Sequence, residues 1–149
     1  MPESKYIDKI AVPEIKEFTE KALEEYNASA EKIQEADQVA EILLGLLKKK
    51  KLITDNSHQS YVDVLISACL LHNLFYDPED WTSLFWARRE LTPLAAECGM
   101  NSQFRDAIFQ TIESQLGEDT PVPNCKPVAN SPTELFSYAI WFAKEHETS

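Results

Sequence analysis

Leu65-Ile66-Ser67-Ala68-Cys69-Leu70-Leu71-His72-Asn73-Leu74-Phe75-Tyr76-Asp77 is an almost wholly apolar run that closes on a histidine and an asparagine. Counted from Ser60, nearly every position through Tyr76 is apolar. A segment without a polar face is buried all round, and this one is long enough to favour a helix over a strand. The spacing predicts a central helix over residues 60–76, with the remaining elements packed around it. His72 raises the question of function, because a buried imidazole needs a partner. That partner is a metal, a ligand or a neighbouring backbone carbonyl.

Outward from this run, the chain reads as helix after helix. Pro13 suits a first helical turn, and Ile15, Phe18, Ala22 and Leu23 share one side of the helix it opens. Ser29 caps a second helix whose wide stripe includes Ile33, Ala36, Ala40, Leu43 and Leu47. Thr54-Asp55-Asn56-Ser57 is a turn cluster. After the central run, Asp77-Pro78-Glu79-Asp80 supplies a cap, a first-turn proline and first-turn acids for a helix through Trp81, Leu84, Phe85 and Arg88. Thr92-Pro93 restarts a short helix that stops at Gly99, and Ser102 opens another with Phe104, Ile108 and Ile112 on one face. Three prolines make residues 118–130 an extended loop. Ser131-Pro132-Thr133-Glu134 has capping-box spacing and begins the last helix, through Leu135, Tyr138, Trp141 and Phe142. The expected fold class is all-α, a single-domain bundle of six or seven helices.

Composition narrows the function. The 149 residues suffice for one substantial core. The net charge of −11 argues against general nucleic-acid binding, which rests on lysine and arginine at phosphates. Lys48 to Lys51 form the one basic cluster and read as cations complementing the carbonyl end of a helix. No apolar run approaches the length of a membrane span, and the polar start, Met-Pro-Glu-Ser-Lys, has no signal-peptide core. A cytoplasmic protein with no membrane contact is expected. The three cysteines, Cys69, Cys98 and Cys125, show no CxxC spacing, so neither a disulfide framework nor a zinc knuckle is indicated.

The order of elements resembles the HD-domain superfamily, helical proteins that are mostly metal-dependent phosphohydrolases. The likeness rests on Val64 to Asn73, which is similar to the family's apolar helix ending in Ala-x-Leu-Leu-His-Asp. Asp37-Gln38-Val39-Ala40-Glu41-Ile42-Leu43 is similar to the first helix, and Ser131 to Ala139 to the closing one. On this resemblance residues 1–28 form an N-terminal helix packing on the core, and residues 29–149 the HD-like domain of one globular unit. The family's enzymes use a histidine on the first helix, a His-Asp pair and an aspartate on the last helix. Here Glu35 to Asp37 stand at the first place, His72-Asn73 at the second and Ile140 at the third. Tyr76 stands where some variants carry a catalytic carboxylate. Asparagine is a weaker metal ligand than carboxylate and isoleucine is none, so the resemblance implies a frame that has lost most of its metal site.

The candidate residues follow. His72 and Asn73 either line a ligand pocket or cap their helix, and Tyr76 lies beside them. A divalent-metal site would draw on His72 and Asn73 with a carboxylate of the second helix, Glu35 or Asp37, facing His72; otherwise no cofactor is expected. Arg88 and Arg89 follow Trp-Thr-Ser-Leu-Phe-Trp, a combination suited to an anionic ligand with a stackable base. Asp77, Glu79 and Asp80 read as helix-start residues, and His58 and His146 as exposed. The leading expectation is a non-catalytic HD-like protein that binds a partner protein or a small anionic nucleotide, as an accessory or inhibitory protein carried by a phage would. The alternatives are a divergent metal-dependent nucleotide phosphohydrolase using His72 and Asn73, and an acidic module that forms homo-oligomers through Trp81, Phe85 and Trp86.

Overall fold

The computed structural model describes residues 4–145, so His146 lies outside the described residues. Six α-helices and no β-strand are found among them: α1 (Pro13–Glu25), α2 (Ala30–Lys49), α3 (Gln59–Leu71), α4 (Trp86–Glu97), α5 (Ser102–Glu113) and α6 (Pro132–Glu145). None is long and apolar enough to cross a membrane.

α3 is the central element. Every residue from Asp63 to Leu71 is buried. Its sides feed two apolar clusters. Val64, Ile66, Ala68, Leu70 and Leu71 join residues of α1, α4 and α5. Leu65 and Cys69 join Val39, Leu43 and Leu47 of α2 and Phe136 and Ile140 of α6. Phe18 and Phe109, both fully buried, meet edge to face across the first cluster, with centroids 6.4 Å apart. α1 packs against α3 and α4, and one polar pair, Thr19 Oγ1 and Ser67 Oγ at 2.7 Å, crosses its interface with α3.

Helix ends follow local chemistry. Ser29 accepts from the Lys32 N–H, as its spacing predicts. α1, α2 and α4 each stop on a residue of positive φ, namely Asn27, Lys51 and Gly99. In each, the next amide reaches back to a carbonyl of the last turn: Ala28 to Leu23, Leu52 to Leu47, Met100 to Ala95. This is the Schellman arrangement.

Four expectations are corrected. α3 ends at Leu71, short of Tyr76; there the His72 ring bonds the Cys69 carbonyl, and the Asn73 and Gln115 side-chain amides tie the turn to neighbouring elements. The helix expected from Asp77 begins later. Asp77 Oδ1 accepts the Glu79 N–H in a turn, and Asp80 caps a 3₁₀ turn, Trp81–Phe85, that leads into α4. Pro93 starts no new helix. It lies exposed inside α4, where the Thr92 hydroxyl donates to the Arg88 carbonyl. α5 opens at Ser102 as its sequence predicts, with the Asn101 side chain accepting from the Gln103 N–H as its cap. The fourth correction is at α6, where the Ser131 hydroxyl turns back to the Val128 carbonyl, while its own carbonyl receives the Glu134 N–H.

Candidate functional site

His72 is 3% exposed at the end of α3. The ring makes a 2.6 Å hydrogen bond from Nδ1 to the Cys69 carbonyl. A carbonyl only accepts, so Nδ1 carries the proton and Nε2 is the nitrogen left with a lone pair. Burial is the main cause that pushes the imidazole down to about 4; the Cys69 bond opposes this and the Lys144 ammonium adds to it. The ring is neutral at pH 7. Phe136 of α6 meets it edge to face at 6.0 Å. The His72 carbonyl accepts from Gln115 Nε2 at 3.0 Å, and Asn73 Nδ2 donates to the Lys32 carbonyl of α2 at 3.0 Å. His72 and Asn73 thus close the end of α3 and tie it to α2 and to the residues after α5.

These residues also border a cavity of about 200 Å³. α2 contributes Lys32 and Glu35, the end of α3 contributes His72 and Asn73, and α6 contributes Ile140 and Lys144, with Tyr76 at the edge. Residues far apart in sequence thus converge on one cavity. No protein-family model, no curated protein and no solved structure matches this chain.

Glu35 therefore faces the same space as His72, but Asp37 does not. Asp37 is buried against the N-terminal segment, accepting from the Ser4 hydroxyl and from the Lys5 N–H at 2.8 Å. The four candidate ligands do not all converge. Two residues apart on a helix lie on opposite sides, so Glu35 and Asp37 cannot both look at His72. Among the described residues no group of three or more His, Cys, Asp and Glu is placed to hold a metal ion. The donors at this cavity do not fit a divalent cation. His72 offers one nitrogen, Glu35 one carboxylate and Asn73 only a neutral amide oxygen, and Ile140 offers nothing. Two lysines border the space, and these are too few anionic ligands to hold the ion against them.

Arg88 and Arg89 do not line this cavity. Arg88 binds Glu113 bidentately, Nε to Oε2 and Nη2 to Oε1 at 3.0 Å each, and lies over the Phe109 ring. That fork uses the donors an anionic ligand would need. Arg89 pairs with Glu90 at 3.1 Å and covers the Trp86 ring at 5.6 Å. His58 is exposed at the start of α3 and makes no side-chain cap.

Lys32, Lys144 and Gln115 were not singled out by sequence. Helical spacing carries the signal for two of them. Lys32 precedes Glu35 by three residues, and Lys144 follows Ile140 by four, so each shares its neighbour's face. Gln115 lies after α5 and had no such signal.

Proposed function

We propose that this chain is a non-catalytic, HD-like helical protein that receives the phosphate of a small nucleotide in the cavity at His72. One observation carries the reading. At the place where the resemblance calls for a cation among carboxylates, Ile140 replaces the last-helix acid and two lysines border the space. They are Lys144, whose charge reaches His72, and Lys32, whose ammonium donates to the Leu74 carbonyl at 3.4 Å and keeps two further protons to donate. Glu35 is the one acid there, so the lining is cationic in a chain of net charge −11. A cavity of about 200 Å³ is smaller than the ~300–1,000 Å³ of pockets that enclose whole ligands. It suits a phosphate group with its sugar outside, and Tyr76, half-buried at the edge, is a surface on which a base can stack. The hydrolase alternative needs a metal site that these donors do not make.

Titration calorimetry with inorganic phosphate and nucleoside mono-, di- and triphosphates tests this. Binding is expected, and the Lys32→Ala, Lys144→Ala double variant is expected to weaken it about tenfold or more, since each charge-assisted bond contributes about 1.5–3 kcal/mol. No heat at millimolar ligand, or equal affinity in the double variant, would sink the reading.

A second reading, pairing with another protein or a second copy, is favoured by a separate observation. All three tryptophans are exposed, Trp81 at 45%, Trp86 at 42% and Trp141 at 54%, although indole is ordinarily mostly buried. Phe85, between the first two, is half-buried. Sedimentation velocity is expected to show a dimer that Trp86→Gln dissociates. A monomer at high concentration removes the self-pairing form.

A further inference from the structure

The C-terminal end of α2 holds more positive charge than its helix needs. Lys48, Lys49, Lys50 and Lys51 are all exposed. Among the described residues none of them is in an ion pair. A helix C-terminus presents roughly half a negative charge, which one lysine satisfies. Four consecutive lysines repel one another. Lys51 also adopts φ 60°, a backbone state in which glycine is the low-cost residue. Both features work against stability, so the run answers to something other than the fold.

Beside it lies a groove of about 380 Å³. Leu44, Ile53, Val62 and Ile66 form its floor, and Lys9 and Lys48 stand at its edge, with Asp55 the one acid in the lining. Leu44 and Val62 each pack against both apolar clusters, so the floor is the seam where the two halves of the core meet. The volume suits one large apolar side chain with its flanking backbone.

We propose that this groove docks a short acidic segment of a partner protein, with one aromatic or aliphatic side chain on the floor and carboxylates on either side meeting Lys9 and the lysine run. Charge complementarity selects that occupant. With a net charge of −11 the chain repels an acidic partner over most of its surface, and this end attracts it. Such a pattern orients an encounter as well as strengthening it. A long nucleic acid would run from the lysines onto the acidic surface around them. The site is separate from the His72 cavity, so neither proposal depends on the other.

Fluorescence anisotropy with two labelled peptides of equal length tests it. One is all glutamate; the other has a central phenylalanine among glutamates. The phenylalanine peptide is expected to bind about tenfold tighter than the all-glutamate one, since its ring leaves water for the apolar floor. The Lys9→Glu, Lys48→Glu variant is expected to lose that binding by tenfold or more, and Lys126→Glu, on the loop after α5, to keep it. Both substituted lysines are exposed, and a circular-dichroism melt verifies the fold. Equal affinity for the two peptides, or displacement of the peptide by single-stranded DNA at equal charge, would reduce the site to a generic polyanion patch and overturn the proposal. So would absence of binding, or binding indifferent to Lys9 and Lys48. A free protein that is already a dimer, and that Lys48→Glu makes monomeric, would name a second copy as the occupant instead.

Discussion

Replacing Asp63 with alanine is expected to destabilise the fold by about 4 kcal/mol. Asp63 is fully buried in α3. Its Oδ2 accepts the Ala11 N–H at 3.0 Å and the Val12 N–H at 2.7 Å, and its Oδ1 accepts Gln59 Nε2 at 2.7 Å. Val12 is the residue that starts α1. One carboxylate therefore fixes where the first helix begins and ties it to the central one. Hydrogen bonds to a charged acceptor contribute about 1.5–3 kcal/mol each, and alanine leaves two backbone donors without their acceptor. Asp63→Asn is the informative control. Its carbonyl oxygen can take both amide donors, and Gln59 can turn its own amide to meet the new NH2, so a loss of about 1–2 kcal/mol is expected. Urea unfolding of the three proteins measures both. An alanine variant within 1 kcal/mol of the parent would mean that the segment before α1 is not held this way.

Asp63 also shows where sequence reading stops. The apolar run was legible as a buried helix because no face of it is polar, and the lone aspartate inside it signals that something must satisfy a buried carboxylate. Which donors do so depends on a segment more than fifty residues upstream, and no spacing rule reaches that far. The end of α3 failed for the same reason. Its stop is tied down by the ring of His72 and by groups from elsewhere, the Lys32 carbonyl and the Gln115 amide. The starts and stops that were read well, Ser29 and Gly99, are set by local chemistry alone. Pro93 misled because its exposed place in α4 tolerates the missing N–H. At the candidate site, His72, Asn73, Glu35 and Tyr76 were read from the run and its resemblance, and they do share a cavity. Of the two acids considered on α2, Asp37 faces away, by the period of its own helix. Lys32 and Lys144 carry no signal beyond the helical spacing that sets them beside Glu35 and Ile140, because a surface lysine ordinarily stands in solvent.

His72 sets the second large effect, and its sign follows from burial. The folded imidazole is pushed down to about 4 from its ordinary 6.5, chiefly by loss of water. Between those values the unfolded chain binds a proton that the folded chain does not. Stability is therefore fully present above pH 6.5 and falls as pH drops toward 4, by about 1.4 kcal/mol per unit. The share belonging to His72 is about 3 kcal/mol over that window. Lys144 on α6 and Lys32 on α2 face the same cavity, with Glu35 opposing them and Tyr76 at the edge, so no nearby pair of acids stabilises the charged ring. Urea unfolding at pH 7, 5.5 and 4 reads the slope. His72→Gln is expected to flatten it by that share, whatever its own stability at pH 7, while losses due to carboxylates remain in both proteins. A phosphate-bearing ligand in the cavity would set negative charge beside the ring and raise the pH at which it titrates. A ring that titrates near 6.5 in the free protein would mean that water reaches it. A ring that titrates near 4 and does not move when phosphate is added would instead place the anion elsewhere.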